Sequence, residues 1–229
     1  MRFGLRKLTL LDYPGQVACT VFTCGCNFRC PFCHNPALVT GSEGDLECSF
    51  AEVLEFLENR GSKIDGICIT GGEPLLHKES VLLAQAAKAL GCKVKLDTNG
   101  SFPEKLRELV ADGSVDYVAM DIKNSPAKYA LTSGCSHWEK VLESADFLLS
   151  RAVDYEFRTT VTGNLHELPD FTAIGKWLRG AERYFLQGFK DSGAILGGDP
   201  ESFAVSDEKL REFLAEVKKF IPAAEIRGR

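Results

Sequence analysis

The feature that most restricts the fold is a regular alternation between short apolar runs and longer segments with helical periodicity. There are six such apolar runs, which are rich in β-branched or aromatic residues and have the length of buried strands. They cover residues 17–22, 66–69, 94–96, 115–120, 155–161 and 183–186. Because strand and helix alternate along the chain, we expect parallel strands connected by right-handed crossovers. The sequence therefore predicts an α/β protein.

The segments between these runs carry helix signals. Ser49 and Glu52 form a capping box before an apolar pattern that ends at Gly61, and Ser136 and Glu139 form a second predicted box. Helical periodicity covers residues 50–57, 82–86, 106–110, 141–149, 168–179 and 207–220.

The chain shows no linker, repeat or change of composition along its 229 residues. We therefore expect a single domain over residues 1–229, with a core at about 12–190 and a C-terminal helix and tail over 191–229.

Composition and charge argue against several classes of protein. With 45% hydrophobic and 26% charged residues, the chain is typical of globular proteins. A net charge of −5, without a clustered basic face, argues against nucleic-acid binding. No apolar run approaches the roughly 20 residues that span a bilayer, and Arg6 and Lys7 stand where the apolar core of a signal peptide would lie. We expect a cytoplasmic protein that binds neither membranes nor nucleic acid.

Polar or glycine-rich groups follow four of the predicted strands. A cysteine-rich loop follows the first strand, and residues 71–74, 97–100 and 121–123 follow the next three. Parallel strands place these ends on one rim, where α/β proteins bind their ligands. An open doubly wound sheet and a curved, incomplete barrel both fit the alternation, but contributions from four strands favour the barrel. We predict a partial (β/α)6 TIM-like barrel.

Three cysteines in the first loop have the spacing of a metal site. Of the nine cysteines, Cys26, Cys30 and Cys33 form the sequence Cys-x3-Cys-x2-Cys. Three thiolates leave one iron of a cubane cluster without a protein ligand, and such an open position is what substrate activation at a metal requires. The alternative is a structural zinc site that is completed by His34 or Cys24.

The segment from Cys26 to Cys33, with an aromatic residue at Phe32, resembles the signature of the radical S-adenosylmethionine (radical SAM) enzymes. The resemblance implies that Cys26, Cys30 and Cys33 hold a 4Fe-4S cluster. The fourth iron would then be chelated by the amine and carboxylate of S-adenosylmethionine.

A second segment, Gly71-Gly72-Glu73-Pro74, is similar to another motif of that superfamily, whose backbone meets the methionyl amine. Glycines allow such a close approach. Taken alone, this segment would be no more than a turn.

The finer resemblance is to the activating enzymes of glycyl radical enzymes, and especially to the activase of anaerobic ribonucleoside-triphosphate reductase. It extends from about residue 5 to residue 189 and includes Asp12-Tyr13-Pro14-Gly15, Cys33-His34-Asn35, residues 96–100 and residues 121–123. Between residues 33 and 64 the only cysteine is Cys48. That interval leaves no room for an insert with additional clusters, and we predict one cluster.

The resemblance also implies which side chains contact the cofactor, with a monovalent cation as an optional part of the site. These residues are Phe32, Asn35, Asp97, Thr98, Asn99, Asp121 and Lys123. Without the cysteine motif, Asp97, Thr98 and Asp121 would be interpreted as caps of turns or helices, which is common for short polar residues at strand ends. Lys123 would then be a surface lysine.

His34 and Asp12 occupy positions that lie near the substrate peptide in the activases. The alternatives are a packed or helix-capping histidine and an aspartate that initiates the Pro14-Gly15 turn. For Arg158, pairing with a buried acid and contact with the cofactor both fit the sequence.

The function implied by the resemblance is that of a radical SAM activase. A low-potential electron donor reduces the cluster, S-adenosylmethionine is cleaved to methionine and a 5′-deoxyadenosyl radical, and this radical takes a hydrogen atom from a glycine of a partner enzyme. The partner would be a glycyl radical enzyme such as anaerobic ribonucleotide reductase. Two alternatives stay open: a radical SAM enzyme that acts on a small molecule such as a deazapurine precursor, and a noncatalytic metal-binding or electron-carrier protein.

Overall fold

A computed structural model of the chain describes residues 1–41, 46–191 and 193–228. Positions 192 and 229 of the predicted tail therefore lie outside the described residues. The strands are β1 (Arg2–Thr9), β2 (Ala18–Thr23), β3 (Cys48–Ser49), β4 (Gly66–Gly71), β5 (Lys93–Thr98), β6 (Tyr117–Asp121), β7 (Asp154–Val161), β8 (Tyr184–Gly188) and β9 (Ala224–Ile226). They form one sheet in the order β3-β1-β2-β4-β5-β6-β7-β8-β9.

The helices alternate with the central strands. They are α1 (Pro36–Thr40), α2 (Phe50–Arg60), α3 (Lys78–Ala89), α4 (Pro103–Ala111), α5 (Tyr129–Ser133), α6 (Glu139–Leu149), α7 (Leu168–Trp177), α8 (Pro200–Phe203) and α9 (Asp207–Lys218). Short 3₁₀ turns cover Gly61–Lys63, Pro74–Leu76 and Pro126–Lys128. Among the described residues, no helix is long and apolar enough to cross a membrane.

The six predicted strands are confirmed as β2, β4, β5, β6, β7 and β8, and each pairs in parallel with its neighbour in the sheet. The predicted α/β fold is therefore confirmed. The strand order ends in β3 on one side and β9 on the other. Within the described residues the sheet therefore does not close on itself, in agreement with the predicted partial barrel.

Three strands were missed because they lack an apolar run. β1 is antiparallel to β2, and only Phe3 and Thr9 of its eight residues are buried. β3 has two residues and β9 has three, which is too short for a periodic pattern. Burial and pairing in the folded molecule, rather than local composition, form these edge strands.

One of the two predicted capping boxes is wrong. Ser49 and Glu52 cap α2 reciprocally, as predicted. α6, by contrast, begins at Glu139 and has no side-chain cap. Glu139 is the first helical residue, so it cannot occupy the third helical position that a capping box with Ser136 requires.

The sheet separates an apolar layer from a polar barrel interior. Val94 and Leu96 of β5 belong to the hydrophobic core. Lys95 and Asp97, which alternate with them, pair with each other, and Asp97 also pairs with Arg158 of β7. Because successive side chains of a strand point to opposite faces, the alternation in β5 brings charged groups into the barrel while the other face of the strand packs into the core.

Candidate active site

The largest collection of predicted site residues lines one cavity at the carboxyl ends of the parallel strands. Its empty volume, including the part that opens to solvent, is about 850 Å³, within the usual range of ligand sites. The lining contains thirteen predicted residues: Cys26, Cys30, Phe32, Cys33, His34, Asn35, Gly71, Gly72, Asp97, Thr98, Asn99, Asp121 and Lys123. Glu73, Pro74 and Asp12 do not belong to the lining.

The cysteine loop is anchored by backbone hydrogen bonds to distant parts of the chain. Arg29 N–H donates to Ser133 O at the end of α5, at 2.7 Å. Gly197 N–H donates to Pro31 O at 3.0 Å, and Gly25 N–H donates to Leu38 O at 2.6 Å. These contacts fix the loop between α1, α5 and the segment that follows β8.

Burial controls the chemistry of the thiols. It raises the pKa of Cys30 to about 11. Burial also raises the pKa of Cys26, although a hydrogen bond of 3.4 Å from Phe28 N–H to Cys26 Sγ opposes the shift. Binding of a metal to these cysteines must therefore release their protons.

Gly71 and Gly72 allow the end of β4 to pack against the start of the cysteine loop. A Cβ atom at Gly72 would lie 1.9 Å from Gly25 O, and one at Gly71 would lie 2.3 Å from Thr23 O. Gly72 N–H donates to Thr23 O at 2.9 Å. These glycines therefore allow the backbone at the end of β4 to contact the backbone between Thr23 and Gly25.

Glu73 ties this junction to the end of β5. Its side chain is fully buried. The carboxylate accepts hydrogen bonds from Thr98 Oγ1 at 2.8 Å, Asn99 N at 2.7 Å and Leu75 N at 3.1 Å. Burial raises the pKa of Glu73 to about 7, against the opposing effect of these hydrogen bonds. Glu73 therefore supports two lining residues from behind the cavity.

Alternating charges form the floor of the cavity. Arg158 lies between two acids, with Nη1 at 3.2 Å from Asp97 Oδ2 and Nε at 3.0 Å from Asp121 Oδ1. Lys95 pairs with Asp97 from below, and Lys123 Nζ is 3.0 Å from Asp121 Oδ2. The sequence left the role of Arg158 open, and in the structure it bridges both acids and lines the cavity.

These pairs keep the acids ionised. Burial acts to raise the pKa of Asp121, but Lys123 and Arg158 outweigh it and lower the pKa to about 2. Arg158 and Lys95 likewise outweigh burial at Asp97 and lower its pKa. For Lys123, burial acts to lower the pKa, but the negative charge of Asp121 raises it well above its ordinary value. The floor thus presents fixed charges of both signs to a ligand.

Asp12 and His34 have different surroundings. Asp12 accepts a hydrogen bond from Thr20 Oγ1 at 2.5 Å and lies 3.7 Å from Arg6 Nη1, apart from the cavity lining. His34 lines the cavity, and its ring stacks on Phe189 with centroids 5.0 Å apart. Burial lowers the pKa of His34. Neither contact assigns a catalytic role.

Sequence reasoning missed several residues of the site. Phe28, Val39, Thr70 and Thr160 complete the cavity wall. Phe203 packs edge-on against Phe32, with centroids 6.1 Å apart. No local pattern around Phe203 could have indicated this contact, because it is created by the return of the chain after β8.

The donor set fits an iron-sulfur cubane and a charged organic cofactor. Three thiols line one cavity together with acids at the ends of β5 and β6 and with the cations Lys123 and Arg158. In the part of the chain that the structure describes, no three His, Cys, Asp or Glu side chains are grouped to hold a single ion. A cubane does not require such a group, since each cysteine binds a different iron. Cys24, the other proposed zinc ligand, does not line the cavity.

The chain is similar to proteins of known families. The chain matches the Radical SAM superfamily over residues 20–173. It is 32% identical over 231 residues to a Methanocaldococcus jannaschii protein with the provisional name glycyl-radical enzyme activating enzyme; the match covers 98% of this chain and 94% of that protein. It is also 33% identical over 138 residues to the pyruvate formate-lyase-activating enzyme of Listeria monocytogenes, covering 55% of this chain and 54% of the relative.

A solved structure has a similar fold. It is that of Streptococcus suis SuiB bound to the precursor peptide SuiA, with a TM-score of 0.71 and 13% sequence identity. The similarity covers 90% of this chain and 47% of SuiB, so it concerns the shared fold alone. Together, the superfamily match and the near full-length relative place the chain: it belongs to the radical SAM superfamily and, within it, to the family of glycyl-radical enzyme activating enzymes.

Proposed function

We propose that the protein activates a glycyl radical enzyme, using one 4Fe-4S cluster held by Cys26, Cys30 and Cys33 and S-adenosylmethionine bound beside it. The observation that carries the proposal is that these three thiols and the charged ends of β5 and β6 line the same cavity. Similarity to the M. jannaschii protein along almost the whole chain supports the same function.

The protein orients the reactants and excludes water. When bound, the cluster and cofactor supply one-electron cleavage of the sulfonium and abstraction of a hydrogen atom. Lys123 and Arg158 offer cationic groups to the cofactor carboxylate, and Asp97 and Asp121 offer acceptors to its amine and hydroxyl groups. Hydrogen-atom abstraction needs no general base, so the rate depends on holding the target close to the radical carbon in a dry site.

The substrate in this proposal is a glycine in a protein loop. Support comes from the open sides of the sheet, since the described strands end in β3 and β9 and do not close a barrel. His34, on the cavity wall, and Asp12, outside it, are assigned to the substrate side. The first candidate partner is anaerobic ribonucleotide reductase. A low-potential electron donor, a monovalent cation near Asp97 and Asp121, and a cytoplasmic location complete the proposal.

The test is anaerobic reconstitution of the protein with iron and sulfide, followed by reduction in the presence of S-adenosylmethionine. We expect release of methionine and, after addition of the partner, a glycine-centred doublet in the electron paramagnetic resonance spectrum. Turnover of a small molecule without a glycyl radical in any partner would contradict the proposal. Zinc in place of iron, or a cluster whose spectrum ignores S-adenosylmethionine, would favour a noncatalytic metal-binding protein.

A pair of cysteine variants tests the cluster ligands. Cys30→Ala removes a thiol from the cavity wall, and we expect it to lose the intact cluster and all methionine release. Cys48→Ala is the matched control, because Cys48 lies in β3 outside the cavity lining, and it should keep both. Retention of cofactor cleavage by Cys30→Ala would argue strongly against the cluster assignment.

A further inference from the structure

The backbone that carries Lys123 lies just beyond the sheet. The last pair of the β6–β7 ladder joins Asp121 to Arg158. Ile122 N–H still donates to Arg158 O at 2.7 Å. Lys123 is therefore the first residue whose backbone is held by side chains alone: its N–H donates to Tyr129 Oη at 3.4 Å, and its carbonyl lies 3.0 Å from His166 Nε2.

The tautomer of His166 follows from its other ring nitrogen. Thr162 N–H, which can only donate, points to His166 Nδ1 at 3.1 Å. Nδ1 is therefore an acceptor, and the proton of a neutral imidazole must be on Nε2. His166 Nε2–H thus donates to the carbonyl of Lys123. The ring is fully buried, and its neighbour Phe171 lies with centroids 5.6 Å apart.

The same loop holds the next residue as well. Asn124 Nδ2 donates to Leu165 O at 3.0 Å and to Thr132 Oγ1 at 2.8 Å. The loop between β7 and α7 therefore fixes the segment after β6 at two consecutive residues, through His166 and through Leu165. On the opposite side of this segment, the Lys123 ammonium reaches Asp121 at the cavity.

We propose that His166 is a positioning residue for the cofactor site: through the hydrogen bond from Nε2 to the Lys123 carbonyl, it fixes the backbone from which the Lys123 ammonium meets the carboxylate of S-adenosylmethionine. The inference rests on the proposed function. It assigns to His166 a role in cofactor affinity that packing alone would not require.

Two substitutions at His166 distinguish a positioning role from a packing role. Each keeps one of the two hydrogen-bonding functions of the imidazole ring, either the Nε2 donor or the Nδ1 acceptor. The amide nitrogen of His166→Gln can replace Nε2 and donate to Lys123 O, but the variant loses the acceptor for Thr162 N–H. The amide oxygen of His166→Asn can replace Nδ1 and accept from Thr162, but the variant loses the donor to Lys123. His166→Gln removes the contacts of Thr162 N and Oγ1 with Nδ1, and His166→Asn removes the hydrogen bond from Nε2 to Lys123 O. Each variant therefore leaves a buried polar group without its partner, so packing alone gives no reason for His166→Asn to weaken cofactor binding more than His166→Gln does.

The measurement is S-adenosylmethionine affinity, by anaerobic calorimetric titration of the reconstituted, unreduced protein, with denaturant unfolding in parallel. Positioning predicts that His166→Asn binds the cofactor about tenfold more weakly, as expected for loss of one buried hydrogen bond. His166→Gln should bind within about twofold of the wild type, although its stability should be reduced about as much as that of His166→Asn. In a Lys123→Met background, the difference between the two His166 variants should vanish.

Each outcome decides the inference. Equal affinities for both His166 variants, or a difference that persists in Lys123→Met, would overturn it while leaving the proposed function intact. If the wild-type holoprotein does not bind S-adenosylmethionine at all, both the proposed function and this inference fail. Should His166→Asn not fold, His166→Gln decides alone: wild-type affinity at reduced stability supports positioning, and a tenfold loss of affinity contradicts it.

Discussion

At the scale of single residues, Glu73 has one of the most demanding environments in the described chain. Its buried carboxylate accepts hydrogen bonds at both oxygens, from Leu75 N and Thr98 Oγ1 at one and from Asn99 N at the other. The sequence identifies this residue only as part of the Gly71-Gly72-Glu73-Pro74 motif. In the structure, Glu73 lies behind Thr98 and Asn99, and its hydrogen bonds fix the positions of these two lining residues.

We predict that Glu73→Gln destabilises the protein by about 1–3 kcal/mol, the usual cost of an unsatisfied buried polar group. Whichever way the amide is turned, its NH2 group faces a backbone N–H that needs an acceptor. The measurement is denaturant unfolding at pH 8, above the raised pKa of Glu73, where the carboxylate is ionised.

Glu58→Gln, at an exposed position of α2, is the control and should change the free energy of unfolding by less than about 0.5 kcal/mol. Equal effects of the two substitutions would show that the hydrogen bonds of Glu73 contribute nothing specific.

At the scale of elements, the important junction is that between the end of β4 and the cysteine loop. Gly72 and Glu73 both donate backbone hydrogen bonds to the segment from Thr23 to Gly25. The position of the three thiols therefore depends on an element that begins some forty residues later in the chain. Sequence motifs reveal both segments but not that they are in backbone contact.

We predict that Gly72→Ala displaces the cysteine loop, because its Cβ would lie 1.9 Å from Gly25 O and backbone cannot yield as a flexible side chain can. The expected cost is about 1–3 kcal/mol of stability, together with less iron per protein after reconstitution. Iron analysis and denaturant unfolding check both effects.

Gly188→Ala is the matched control, since its Cβ would meet only side-chain atoms, the nearest at 3.4 Å. Neither glycine has a positive φ, so the comparison isolates the steric effect. Full iron content and unchanged stability in Gly72→Ala would refute the explanation of this junction.

At the scale of the whole molecule, the end of the chain returns to the barrel interior. Arg227 follows β9 and forms two hydrogen bonds with Glu156 of β7, at 2.6 and 2.8 Å. Its guanidinium also lies 3.4 Å from the centroid of the Phe185 ring. Tyr117 Oη donates to the same carboxylate at 2.9 Å. Glu156 is 1% exposed, so its charge relies on these partners.

We predict that Arg227→Met destabilises the protein by about 1–3 kcal/mol at neutral pH, because the buried carboxylate of Glu156 loses the cation that pairs with it, although Arg227 itself is partly exposed. Burial acts to raise the pKa of Glu156, but the hydrogen bonds and charge of Arg227, with Arg158, lower it in the wild type. Because the pKa of Glu156 is lower in the folded state than in the unfolded state, its ionised form stabilises the fold at pH values above the unfolded-state pKa. This stabilisation is lost as the pH falls through the folded-state pKa.

In Arg227→Met the pKa of Glu156 should rise, so acidification neutralises the unpaired charge. The difference in stability between wild type and variant should therefore be largest near pH 8 and smaller near pH 5, as measured by denaturant unfolding. Arg211→Met is the control, because it removes only an exposed ion pair with Asp207, in which Arg211 Nη2 is 3.8 Å from Asp207 Oδ2. It should lower the free energy of unfolding by less than about 1 kcal/mol. A pH-independent difference would contradict this account of Glu156.

The sequence by itself determined the α/β class, the six parallel strands and the identity of most lining residues, because strand periodicity and short motifs are local properties. It could not find β1, β3 or β9, which are short or lack a continuous apolar run and exist through pairing near the sheet edges. The sequence also could not decide whether Arg158 pairs with a buried acid or contacts the cofactor, because its two acidic partners come from different strands.

Only the tertiary structure decided what stands behind the cavity. Three hydrogen bonds support the cavity from behind: His166 binds the backbone of Lys123, Glu73 binds the end of β5, and Gly72 binds the start of the cysteine loop. Each joins residues that are about twenty-five to fifty positions apart in the chain. The physical reason is that a buried donor or acceptor must be paired, but its own position in the chain does not specify which distant group will pair with it. Folding makes that choice when the crossovers bring the strand ends to one rim.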